Sequence, residues 1–149
     1  MRTMIWLKTG TMAVLAASAV CVAAQEAATV ASFDGRWTAM LTCDDTRDND
    51  GRLVKGYSIS LPVEIQGGRV LGERGSAGVP GYLKLSGAVV SGGGLELVAQ
   101  GTTGSVDRNM GLTGAGRPYS YTLQGRLEGD SGSAVRRELR PCKANFVRG

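Results

Sequence analysis

Alternation constrains this chain more than any other feature. Tyr57, Ile59, Leu61, Val63 and Ile65 occupy every second position, with Ser58, Ser60 and Glu64 among the residues between them. Side chains two apart share a face only on an extended strand, so this segment reads as β with one apolar face. The pattern recurs in Trp37, Ala39, Leu41 and Cys43, in Leu83, Leu85, Gly87 and Val89, in Leu95, Leu97 and Ala99, and in Tyr119, Tyr121, Leu123, Gly125 and Leu127. Gly67-Gly68, Ser91-Gly92-Gly93-Gly94 and Glu128-Gly129-Asp130-Ser131-Gly132 separate these runs with turn-forming chemistry. Short alternating strands with turns every 8–12 residues predict an all-β barrel or sandwich. Glycine supplies 23 of the 149 residues. Each interior glycine costs a helix about 0.5–1 kcal/mol, which argues against long helices.

The N-terminus reads as an export signal. Arg2 and Lys8 form a basic start, an apolar run follows from Thr9 to Val22, and Val22-Ala23-Ala24 offers small residues ahead of the polar Gln25-Glu26. That layout predicts a signal peptide over 1–24. Its apolar run is shorter than the roughly 20 residues a membrane-spanning helix needs. Residues 25–32 read as a disordered lead-in and 33–149 as one domain, placed in the periplasm or secreted, with no stable membrane insertion. Without Arg2 and Lys8 the net charge falls from +4 to +2. Cys21 leaves as well, so Cys43 and Cys142 remain, and two cysteines in an exported chain predict one disulfide.

Eight strands are expected: 35–43, 56–65, 69–74, 82–90, 94–103, 118–128, 133–140 and 142–148, the last two divided at Pro141. Pro62 predicts a bulge or an edge within the second. An even number lets the last strand pair antiparallel with the first, which removes both edges. If Cys43 faces Cys142 across that pair, Leu41 faces Ala144, Ala39 faces Phe146 and Trp37 faces Arg148. Every inward residue then meets an inward candidate, and a one-residue slip would break the match. The expected fold is a single eight-stranded antiparallel up-and-down barrel with one disulfide, with a β-sandwich as the alternative.

Gly35-Arg36-Trp37 at the start of the first strand resembles the G-x-W motif of the calycins, the superfamily of lipocalins, fatty-acid-binding proteins, avidins and bacterial metalloprotease inhibitors. The resemblance implies a basic residue of the last strand packed over the tryptophan at the closed end of the barrel, and Arg148 falls there. Trp37 is the only tryptophan after the signal segment, unlike the multi-tryptophan boxes of avidin-type biotin sites. More closely, Phe33 to Trp37, Pro118-Tyr119-Ser120-Tyr121 and Arg140-Pro141-Cys142 resemble small exported bacterial proteins of unassigned function.

Chemistry-bearing patterns are sparse. The chain has no histidine, which removes His-based zinc sites and Ser-His-Asp or Cys-His catalysis. Asp44, Asp45, Asp48 and Asp50 precede Gly51, but an EF-type loop needs Asp and Glu where Thr46 and Tyr57 stand, so no metal site is expected. Gly72 to Gly81 lacks the strand-to-helix context of a phosphate loop. Arg136, Arg137, Arg140, Lys143 and Arg148 read as a solvated basic face; nucleic-acid binding would want clustered charge with stacking aromatics. No cofactor motif is present, and an enzyme is not expected.

Tyr57, Tyr119 and Tyr121 are the candidate binding residues, because a phenol joins apolar area to a hydroxyl that can orient a ligand. Gly87, Gly101 and Gly125 are expected to lower the interior fill and leave room. Two functions remain open. One is a barrel binding a small apolar ligand, with its mouth at the disulfide end beside loop 44–55. The other is an interaction module for an extracytoplasmic protein, such as an exported hydrolase inhibitor, acting through loops 44–55 and 104–117. An interior void favours the first and a filled barrel the second.

Overall fold

The computed structural model describes residues 30–112 and 114–149; the predicted signal segment 1–24 and residues 25–29 of the lead-in lie outside them. Ten strands form in chain order: β1 (Gly35–Cys43), β2 (Thr46–Arg47), β3 (Leu53–Val54), β4 (Tyr57–Gln66), β5 (Arg69–Arg74), β6 (Leu83–Val89), β7 (Gly94–Thr102), β8 (Pro118–Glu128), β9 (Ser131–Arg136) and β10 (Cys142–Arg148). Eight of them close an antiparallel barrel in the order β1-β10-β9-β8-β7-β6-β5-β4. The barrel, not the sandwich, is the fold. Its interior is the period-2 set: Trp37, Ala39, Leu41, Leu61, Val63, Ile65, Leu83, Leu85, Leu95, Leu97, Leu123, Leu127, Ala144 and Phe146 are all buried.

Closure follows the register expected from the cysteines. β1 pairs with β10 as Trp37↔Arg148, Ala39↔Phe146, Leu41↔Ala144 and Cys43↔Cys142. Cys43 and Cys142 are bonded, with S–S 2.01 Å. A disulfide persists in a non-reducing, extracytoplasmic environment. At the β4–β5 hairpin Gly67 and Gly68 take φ of +57° and +78°. Positive φ at both central residues is what a type I′ turn requires, and glycine adopts it without Cβ strain.

Several sequence expectations are corrected. Pro62 does not bulge β4, since it stays in register with Thr38 of β1, and of the two expectations it meets the edge one locally. It falls where the pairing of β4 with β5 has ended, after Val63↔Gly72, so its missing N–H disrupts no ladder there. β9 stops at Arg136 instead of running to residue 140, and 137–141 form a loop in which Leu139 takes φ +55°. Loop 44–55 is not structureless, since β2 and β3 pair within it as Thr46↔Val54 and Arg47↔Leu53, with Val54 fully buried.

One end of the barrel is shut. Val30–Ser32, assigned to the disordered lead-in, instead begin a tight turn in which Phe33 N–H donates to Val30 O and Asp34 N–H to Ala31 O, both at 3.1 Å. Val30 packs on the core and Phe33 belongs to it. Trp37 Nε1 donates to Phe33 O at 2.9 Å. The Asp34 carboxylate accepts Gly67 N–H at 3.0 Å, tying this plug to the β4–β5 turn. Arg148 crosses the plug from outside, donating to Asp34 O at 2.9 Å and Ser32 O at 2.6 Å. Its Nε lies 2.8 Å from the Asp130 carboxylate.

Candidate functional site

The opposite end, where the disulfide sits, is open. Here the inward positions of β4 and β8 carry tyrosines instead of aliphatics: Tyr57 opposite Cys43, and Tyr119 and Tyr121 at the start of β8. A cavity of about 480 Å³ opens at this end. The structure brings all three predicted tyrosines into its lining, together with Ile59, Met110 and Leu139. The Tyr119 and Tyr121 rings stack at 5.9 Å between centroids, 12° from parallel.

The room does not come from the three inward-parity glycines. A Cβ on Gly87 would lie 2.0 Å from Glu96 O, and one on Gly125 would lie 1.9 Å from Ser133 O. Those positions are glycine because adjacent strands approach too closely for any side chain. A Cβ on Gly101 would meet Tyr82 O at 2.1 Å and the Tyr119 hydroxyl at 2.7 Å. The space beside Gly101 is therefore occupied by Tyr119. The cavity exists instead because the packed aliphatic layers end at Tyr121, and the residues above it come from loops.

Arg140 holds those loops in place, and it is the functional residue that sequence reasoning missed. Read as part of a solvated face, it is buried with 4% of its surface exposed. Its guanidinium donates to Asp44 O at 3.1 Å, to Arg108 O at 2.8 Å and to Lys55 O. Both ends of loop 44–55 and one point of loop 104–117 converge on one planar fork, an arrangement that a point charge on a lysine cannot reproduce. The same guanidinium lies 5.0 Å from the Tyr57 ring centre. Burial pulls its pKa below the usual arginine value, opposed by the Tyr57 phenol and the Asp45 carboxylate. The sequence signal was its place two residues before a half-cystine, which pins this segment to the barrel end.

Arg136 also leaves the expected solvated face, and Arg148 takes the place over Trp37 that the register predicted. Arg136 lies 4.2 Å over the Tyr121 ring and Arg148 4.8 Å over Trp37. Arg137 and Lys143 are exposed, as expected. Trp37 and Arg148 thus meet at the closed end, and the three tyrosines at the open one.

Loops 44–55 and 104–117 dock on each other around Arg140. Arg52 bridges them, its Nε 3.1 Å from the Asp48 carboxylate and its terminal nitrogen donating to Asn109 O at 2.9 Å. Lys55 N–H donates to Asp107 O at 3.0 Å. The Asp48 carboxylate also accepts Arg52 N–H at 2.9 Å. Its oxygens are spent on the hairpin, and no group of three metal-ligating side chains gathers among the described residues. No residue of 44–55 lines the cavity. The mouth is framed by 102–110 and 136–140, not by loop 44–55 as the sequence suggested.

The electrostatics of the cavity are lopsided. Arg74, Arg108, Arg136 and Arg140 line it, and no Asp or Glu does. Burial pushes the Tyr119 phenol up to about 12, with Tyr57 adding to the shift. Burial likewise pushes Tyr121 far above the ordinary phenol value, reinforced by Tyr57 and Tyr119 and opposed by Arg136. Both rings are neutral at physiological pH. No protein family, curated protein or solved structure matches the chain.

Proposed function

We propose that this protein is an exported, calycin-like binding barrel, periplasmic or secreted, that holds a small, largely apolar ligand in the open end and performs no chemical step. One observation carries the reading: the cavity of about 480 Å³ lined by Tyr57, Tyr119 and Tyr121. That size lies within the usual range for small-molecule sites, as does a lining of aromatic area with a few polar groups. The shut end supports it, because a barrel plugged by the 30–34 turn presents a single mouth. The calycin likeness rests on the closed eight-stranded meander and on Arg148 over Trp37.

The second reading, a module that engages an extracytoplasmic protein, draws support from the rim. Leu139 is 81% exposed there, and Leu53 and Val106 are exposed on loops 44–55 and 104–117. Native mass spectrometry of the protein purified from its own cells separates the two. The ligand reading expects a co-purifying small molecule that is lost from an Ile59→Trp variant, whose larger side chain fills the cavity. A bare chain in every preparation overturns it, and a stoichiometric partner protein in place of the small molecule favours the second reading.

A further inference from the structure

Two buried polar groups in this cavity make no hydrogen bond of ordinary geometry among the described residues, and the Tyr57 phenol is the protein group nearest to serving one of them, the Tyr121 hydroxyl. That hydroxyl belongs to a residue only 9% exposed. The other group is Nε of Arg136. The nearest carboxylate to that nitrogen is Glu138, at 4.0 Å, beyond hydrogen-bond reach. Glu138 is itself engaged, accepting the Thr122 hydroxyl at 3.0 Å. Leaving a buried polar group unpaired is costly, so two on adjacent side chains call for a shared partner.

The chemistry of that partner follows from the pair. The Arg136 guanidinium lies over the Tyr121 ring, a contact that uses none of its N–H donors, and its Nε is left for an acceptor. A hydroxyl and a guanidinium edge together suit an oxyanion, which accepts from both. Arg74, Arg108 and Arg140 surround the same volume with no lining carboxylate to oppose them, so the field also favours an anion. Arg140 gives three of its five N–H donors to loop carbonyls and adds its charge to the cavity. The stacked Tyr119 and Tyr121 rings, with Tyr57 and Ile59, give the cavity an aromatic and apolar lining.

We infer that the ligand is an organic oxyanion, an aromatic carboxylate or sulfonate in type, whose charged group sits between Arg136 and the Tyr121 hydroxyl while its ring system packs among Tyr57, Ile59 and Tyr119. This rests on the ligand-binding reading above and narrows it to one chemical class.

Two fluorescent probes with the same aromatic body test it: 8-anilino-1-naphthalenesulfonate and the neutral N-phenyl-1-naphthylamine. The expected result is sulfonate binding about tenfold or more tighter than the amine. Arg136→Gln and Tyr121→Phe should each weaken the sulfonate about fivefold or more without changing the amine. Arg137→Gln, on the exposed outer face, should change neither. Tyr121→Phe removes one oxygen and keeps the ring, so it serves if Arg136→Gln does not fold. Equal affinity for both probes, or sulfonate binding indifferent to both variants, overturns the anion inference and leaves the ligand-binding reading standing. A folded protein that binds neither probe overturns both.

Discussion

The Arg148 guanidinium lies 4.8 Å from the centre of the Trp37 indole, across the first pair of the β1–β10 ladder. The two residues are 111 positions apart in the chain, and their contact joins the end of the meander to its beginning. The same arginine bonds two carbonyls of the 30–34 turn and pairs with Asp130. It therefore latches the barrel seam and its plug together.

Arg148→Ala should destabilise the fold by about 1–3 kcal/mol, from the lost cation–π contact and charge-assisted hydrogen bonds. Thermal melts beside an exposed control, Arg137→Ala, would check this. An unchanged melting temperature would mean that Arg148 does not hold the plug.

Arg140→Met should be more damaging, about 3–5 kcal/mol, because it leaves three loop carbonyls without their donor at a buried site. Arg140→Lys should recover little of that loss, since one ammonium cannot span Asp44, Lys55 and Arg108. Limited proteolysis should show new cleavage in loops 44–55 and 104–117 of either variant. Wild-type resistance in both would refute this role.

Reducing the Cys43–Cys142 bond, or replacing both cysteines with serine, should cost about 2–5 kcal/mol. Chemical denaturation with and without reductant measures it. The reduced barrel should keep its strand content in native buffer, because the register is also held by Ala39, Leu41, Ala144 and Phe146.

Stability should fall as pH rises between about 10 and 12. Tyr119 is held protonated up to about 12 in the fold. The unfolded chain releases that proton near 10, so above 10 the native state binds more protons than the unfolded state and stability declines with pH. Below 10 both states keep the proton, and this contribution is fully present. Melts across that window should show the decline, and Tyr119→Phe should make it shallower, with buried Tyr121 supplying the remainder. Equal slopes for both proteins would contradict the burial of this phenol.

Much of the barrel was legible because it depends on parity. Once Cys43 and Cys142 were paired, the alternation left one register that kept Leu41, Ala39 and Trp37 opposite inward partners, and Arg148 fell into place with them. That the three tyrosines gather at one end was legible for the same reason: they sit at the inward positions where the aliphatic series stops. Parity could not reveal how close two strands would come. Gly125 reads as an inward position with room to spare, yet a side chain there would strike the backbone of β9.

The sequence by itself determined the eight barrel strands, their antiparallel closure and the disulfide, since each is set by spacing along the chain and by the need to bury one face. Tertiary structure alone decided the fate of the arginines. Arg136, Arg137 and Arg140 lie within five residues and look alike in sequence. Packing turns Arg136 onto Tyr121, leaves Arg137 in water and buries Arg140 among three carbonyls. Those carbonyls belong to residues 32 to 96 positions away. A buried charge is tolerated only where the whole fold supplies its partners, and no local pattern records which distant loops will supply them.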